Sequence, residues 1–225
     1  MKRLYIFCEG ATEQGFCQQV LDPHLQSEIL IHPILVAHNR RRGRVHRGGI
    51  PDHFQVLHDD IQNEIKRHQH SADVFFSTMI DLYGLPRDFP GMTENTRIPE
   101  NPTLYVEALE RAFAHVINDR RFVPYIQLHE FETLLFADLD AFDGKFNDVG
   151  SAIQTLKRIA SSFPSVEHIN DGQPTAPSRR IIGRIPEYEA EKVTAGPSIA
   201  KKIGLYRLRE ACPHFGAWVT RLEGL

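Results

Sequence analysis

The sequence has little cysteine: Cys8, Cys17 and Cys212 are the whole complement of 225 residues. An odd number without metal-ligand spacing excludes a disulfide framework and a zinc-finger pattern, and suits a reduced compartment, with Cys8 and Cys17 as small core residues. No apolar run nears the roughly 18 residues that a membrane-spanning helix needs. After Lys2 and Arg3 only about five apolar residues precede Glu9, too few for a signal-peptide core. A cytoplasmic protein without membrane contact is therefore expected. An excess of positive charge is also missing, because 26 basic against 29 acidic residues leave a net charge of −3. That balance argues against a globally basic nucleic-acid binder, although it hides local patches.

Familiar phosphate and catalytic signatures are absent too. Gly10 and Gly15 have the spacing of a P-loop's glycines, but Phe16 stands where lysine is required. No GxGxxG follows the first apolar run, and there is neither a serine nucleophile elbow nor an HExxH pair, so no cofactor-binding residue is expected. Of the 12 histidines, His58, His68 and His70 lie in polar helical or turn surroundings and read as surface residues, whereas His129 stands beside acids and is a functional candidate.

What is present is an alternation of short apolar runs and helical patterns. Leu4 to Cys8, Ile29 to Ala37, Val74 to Ile80 and Phe122 to Leu128 read as strands. Phe16, Val20, Leu21 and Leu25 recur at helical spacing, with Pro23 blurring the end of that helix. Phe54, Leu57, Ile61 and Ile65 form one face of a second helix, and Leu104 to Ile117 forms a third, with Pro102 near its first turn. Strand and helix in turn predict an α/β fold with a mostly parallel sheet flanked by helices. From Val149 the pattern becomes mostly helical, cut by prolines. The division expected is an α/β domain over 1–147 and a helical C-terminal extension over 148–225 packed on it, with Phe215, Trp218, Val219 and Leu222 as the packing face.

Three of the four strands end in acids: Glu9 with Glu13, Asp81, and Glu130 with Glu132. Ligands of open parallel sheets bind beyond the carboxyl ends of the strands. Acids gathered there repel one another and raise their pKa values unless a cation neutralises them, and Mg²⁺ or Mn²⁺ prefers such oxygen ligands. In this reading Glu13 sits in the first turn of the helix after Glu9, where the backbone dipole tolerates an anion. Glu130 and Glu132 share a face only if the chain there is extended. The plainer alternative is that each acid is a helix cap or a solvated loop residue, and Glu132 simply opens a helix over Phe131 to Phe136.

One local basic patch exists. The stretch HNRRRGRVHR from His38 to Arg47 holds Arg40, Arg41, Arg42, Arg44 and Arg47, and with Gly43, Gly48 and Gly49 it reads as a loop suited to gripping a phosphate backbone. Arg87, in the turn-rich LYGLPRDFPG segment after Asp81, is a further phosphate-contact candidate, and Lys192 is a candidate to reach the site from the extension. A solvated surface accounts for these cations equally well.

Glu9, the second acid four residues on and the Asp ending a later strand resemble the Toprim metal site, in particular that of OLD-family nucleases. The blocks CEGATEQGF, TMIDLYGLPRDFPG, RFVPYIQLHEFETLLF, TAPSRRI, GPSIAKKIGL and CPHFGAW are similar, in the same order from residue 4 to about 220, to the bacterial family catalogued as domain of unknown function 4276. The resemblance implies a Toprim-like, Rossmann-like fold and a Mg²⁺- or Mn²⁺-dependent nuclease acting on DNA or RNA. Glu9, Glu13, Asp81 and Glu130 would be catalytic, and these four with Glu132 would be metal-binding. It implies by analogy an ABC- or AAA-type ATPase partner in phage defence. The sequence departs from the Toprim pattern at Tyr83, where a second aspartate is expected. Two alternatives stay open: a non-catalytic module that binds nucleic acid or an ATPase, and a small-molecule phosphohydrolase.

Overall fold

The computed structural model describes residues 1–41, 44–49, 51–93, 101–169 and 175–225, with side chains described outside 39–46. Strand β1 (Lys2–Cys8) sends Leu4, Ile6 and Cys8 into one apolar layer and Phe7 into the other, so both of its faces are covered. A strand buried on both faces reads as a continuous apolar run, as parallel strands do. Helix α1 (Ala11–Phe16) passes through a π-helical turn, Cys17–Leu21, into α2 (Asp22–Leu25). Pro23 follows the π-helical turn, and the helical run continues through it to Leu25.

Strand β2 (Ile29–Leu35) lies at the edge of the sheet, the position where Pro33 is tolerated. The arginine-rich stretch, expected to be a loop, forms an antiparallel ribbon of β3 (Ala37–Arg41) and β4 (Arg44–Arg47). Helix α3 (Phe54–Arg67), β5 (Val74–Asp81) and α4 (Pro102–Ile117) follow, and the Asn101 side chain caps α4 by accepting from the Leu104 N–H. The single strand expected over Phe122 to Leu128 is divided into β6 (Phe122–Val123) and β7 (Ile126–Gln127). The cause is local: Pro124 has no N–H, and the Tyr125 N–H donates to Thr78 Oγ1 at 2.9 Å instead of to the β5 backbone.

The strands run in the order β2-β1-β5-β6, with β7 also on β5, and every pairing is parallel. The chain leaves β1 outward to β2 and returns across to β5 on the other side. The strand order therefore reverses between β1 and β5, and their carboxyl ends flank the crevice where open α/β sheets bind ligands.

Two helical layers cover the sheet. Phe54, Leu57, Ile61, Val106, Leu109 and Phe113 from α3 and α4 pack with Phe7, Phe76 and Ile80. On the other face α1 is joined by the C-terminal helices: α5 (Gly150–Ala160), α6 (Pro177–Ile182), α7 (Glu187–Ile203), α8 (Leu205–Ala211) and α9 (Pro213–Glu223). Residues 148–225 thus supply a layer of the same core that holds β1 and α1. As expected, Phe215, Trp218, Val219 and Leu222 are its contact face, and Trp218 stacks on Tyr125 at 4.2 Å while its Nε1 donates to Ser77 Oγ at 2.9 Å. Among the described residues no helix is long and apolar enough to cross a membrane.

Candidate acidic site

The acids reach one region because the parallel register brings β1 and β5 to a common edge, with Cys8 opposite Met79. Beyond that pair the Glu9 N–H still donates to the Met79 carbonyl at 3.0 Å, and the Glu9 carboxylate then accepts from the Asp81 N–H at 2.9 Å. A side chain has taken over the ladder at the point where the two strands part. One turn into α1, Glu13 folds back to accept from the Gly10 N–H at 2.7 Å and is 5 % exposed.

The other acids come from the segment after β7. Glu130 is extended and precedes the 3-10 run Phe131–Ala137, which stands where the plainer alternative had a helix opened by Glu132, and it accepts from the Ser178 N–H at the start of α6. Glu132, in the first turn of that run and 4 % exposed, accepts from the Tyr188 hydroxyl at 3.1 Å. One oxygen of each of the four glutamates is thus fixed by a protein donor. Asp81 differs, because its Oδ1 is buried and accepts no hydrogen bond.

Burial and mutual repulsion act together on these groups. Burial first, then the charges of Glu9, Glu13, Glu132 and Glu130, hold the Asp81 carboxyl well above the usual carboxylate range. Glu9 is pushed up to about 7, chiefly by burial and further by Glu13 and Glu132, against the Asp81 N–H and the Lys192 ammonium. Glu132 is also pushed up to about 7, by burial and the Glu130 carboxylate, with Lys192 and the Tyr188 hydroxyl opposing. Glu13 is raised by burial, with backbone N–H groups and Lys192 opposing. Buried beside these acids, Tyr188 is held well above its ordinary value and remains a donor.

Of the sequence-predicted site residues, the five acids are therefore electrostatically joined. Lys192, predicted to reach across from the extension, is the cation that acts on Glu9, Glu13 and Glu132. Tyr188 was not foreseen. It lies four residues before Lys192 on α7, so one helix face carries both, and that i,i+4 spacing is the signal that could have found it.

The basic candidates are more scattered. The β3–β4 ribbon springs from the same edge: the Val36 N–H donates to the Cys8 carbonyl, and the Gly49 N–H returns to the Glu9 carbonyl at 2.7 Å. Gly48 and Gly49 have φ of 90° and 81°, a conformation that glycine adopts without steric cost. The side chains of Arg40, Arg41, Arg42 and Arg44 lie outside the described residues. Arg47 is engaged in the fold, donating to Asp60 at 3.0 and 3.2 Å and to the Leu35 carbonyl. Arg87 is exposed and lines an open cavity of about 420 Å³ with His53 and Asp88. His129, the histidine singled out beside the acids, is buried and meets Tyr83.

The donor set suits a hard divalent cation in its chemistry, all carboxylate oxygen, and a buried carboxylate oxygen without a partner is costly until a cation or a proton meets it. Among the described residues, however, no three His, Cys, Asp or Glu side chains converge closely enough to hold a metal ion. The acids are near enough to shift one another, and each of the four glutamates is fixed by its own donor.

Neither a curated protein nor a solved structure matches the chain. A family model, Domain of unknown function (DUF4276), matches residues 8–223. The chain belongs to that family.

Proposed function

We propose that this protein hydrolyses phosphodiester bonds of DNA or RNA with the help of Mg²⁺ or Mn²⁺. The observation that carries the reading is the unpartnered buried oxygen of Asp81, at the switch point of a parallel sheet and within the field of four further carboxylates. Asp81 and Glu9 would hold the cation, with Glu13, Glu130 and Glu132 completing its surroundings. When bound, such a cation stabilises charge on the phosphoryl oxygens and lowers the pKa of a coordinated water.

The chain's own groups have distinct parts. Glu132, pushed up to about 7, can hold or release a proton in the neutral range, as general acid–base work requires, while Glu9 serves as a ligand. Tyr188 fixes the Glu132 carboxylate. Lys192 supplies the positive charge that the acids lack and can draw a phosphate toward them. The arginines of the β3–β4 ribbon, which leaves the same edge, and Arg87 would hold the nucleic-acid backbone through salt-sensitive contacts. The Toprim-like acid pattern, a cytoplasmic location, and an ATPase partner in phage defence belong to this reading.

A second reading has an observation of its own. With Tyr83 in place of a second aspartate and, among the described residues, no three acids in a ligand set, the site also suits a non-catalytic module that binds nucleic acid or an ATPase. Thermal melts with Mg²⁺ or Mn²⁺ against EDTA, for wild type and Asp81→Asn, separate the two. Stabilisation by metal that Asp81→Asn loses, followed by metal-dependent cleavage of DNA or RNA, is expected. No shift at millimolar metal together with no cleavage favours the module.

A further inference from the structure

At the edge of the sheet opposite β2, where the chain breaks between β6 and β7, a cavity of about 280 Å³ opens. Helices α4 and α9 and Pro124 line it, and none of the five acids of the candidate site does. Its inner part is polar and buried. Pro124 has no N–H and interrupts the edge strand, and side chains meet the backbone of Ile126 just beyond it. The Ile126 N–H donates to Glu110 Oε1 at 2.8 Å, while His214 Nε2 lies 3.1 Å from the same oxygen and 3.3 Å from the Ile126 carbonyl. A carbonyl oxygen only accepts, so Nε2 carries the hydrogen. Glu110 and His214 are each 7 % exposed.

Covering an open strand edge accounts for Glu110 Oε1 and for the imidazole. It does not account for the rest of the lining. Glu110 Oε2 accepts no hydrogen bond from the described residues. Arg111 and Arg221 are exposed; Arg221 has no ion pair or hydrogen bond among the described residues, and Arg111 reaches only Glu107, at 3.9 Å. Pro124 and Trp218, both buried, add apolar surface. An apolar wall with a few polar groups turned to one space is the make-up of a small-molecule pocket, and this volume lies at the lower end of the range.

We propose that this cavity binds a nucleoside monophosphate. Two guanidiniums match the nearly two negative charges of a phosphate monoester, and each presents parallel N–H donors to its oxygens. The base lies against Pro124 and Trp218, and an N–H of its polar edge, which every base offers, donates to Glu110 Oε2. Inorganic phosphate satisfies the arginines alone and leaves the wall and the carboxylate oxygen unused. Binding here requires neither a metal nor cleavage at the acids, so it stands apart from the phosphodiester reading above.

Isothermal titration calorimetry in EDTA, with the ribonucleoside monophosphates of the common bases and with inorganic phosphate, tests this. At least one nucleotide should bind, one per chain, roughly tenfold or more tighter than inorganic phosphate, since only the nucleotide adds contacts at the wall and at Glu110. Arg221→Ala should weaken it roughly tenfold or more through the lost charged contact. Ala217→Leu, which places a larger side chain at an exposed lining position of α9, should weaken it as well. Both positions are exposed, and thermal melts check that the variants are folded. Asp81→Asn should leave the binding unchanged. No binding at millimolar nucleotide overturns the proposal, as does inorganic phosphate binding equally well, or binding that Arg221→Ala keeps and Asp81→Asn loses. Nucleotide binding that depends on Arg221, in a protein that cleaves neither DNA nor RNA, removes the phosphodiester reading and leaves this site standing.

Discussion

Replacing Glu132 by glutamine tests the electrostatics of the site in a single measurement. In the folded protein Glu132 is raised from an ordinary 4.5 to about 7 by burial and by Glu130, with Lys192 and Tyr188 opposing. The folded state therefore keeps a proton that the unfolded chain has already lost between pH 4.5 and 7. Stability must fall as pH rises through that window and level off above it. The difference of about 2.5 units corresponds to about 3 kcal/mol, or about 6–12 °C in Tm for a chain of this length. Glutamine keeps an oxygen that accepts from the Tyr188 hydroxyl and does not titrate. Thermal melts in EDTA from pH 4.5 to 9 should show wild type and Glu132→Gln together at the acid end, with the variant progressively more stable as pH rises. A gap that stays constant with pH, or a variant less stable at pH 8.5, would refute the argument that ionising this carboxylate is what the fold pays for.

Three further outcomes follow from named contacts. Lys192→Met should lower Tm at pH 8 and leave it nearly unchanged at pH 5, because the ammonium helps Glu9, Glu13 and Glu132 only when they are ionised. Arg47→Ala leaves Asp60, 8 % exposed, without its guanidinium partner, and urea unfolding should show a loss of about 1–3 kcal/mol. Gly196→Ala places a methyl 3.0 Å from the Phe131 ring and 3.2 Å from Thr12 and from the Tyr188 oxygen. Urea unfolding should show a loss of about 1–3 kcal/mol as α7 shifts off the acidic site.

Much of this was open to a reader of the chain alone. Apolar runs ending in Glu9 and Asp81, with helical patterns between them, announce a parallel sheet with acids at its carboxyl edge, because side-chain periodicity follows directly from backbone geometry. The two-residue strands β6 and β7 were not legible, since they depend on Thr78 reaching across from β5 to take the Tyr125 N–H. Nor was the ribbon of β3 and β4, whose glycines signal only that a helix is excluded.

The sequence by itself determined the sheet, the run of helices that follows it and the identity of the acids, because each is written in residues near one another in the chain. Only the tertiary structure decided how the acids are held. The strand crossing that makes β1 and β5 neighbours brings the Glu9 carboxylate to the Asp81 N–H, 72 residues away, and α7 brings Tyr188 to Glu132 across 56. Burial by that packing, rather than any feature of local sequence, carries Glu9 and Glu132 to about 7 and leaves one oxygen of Asp81 without a partner.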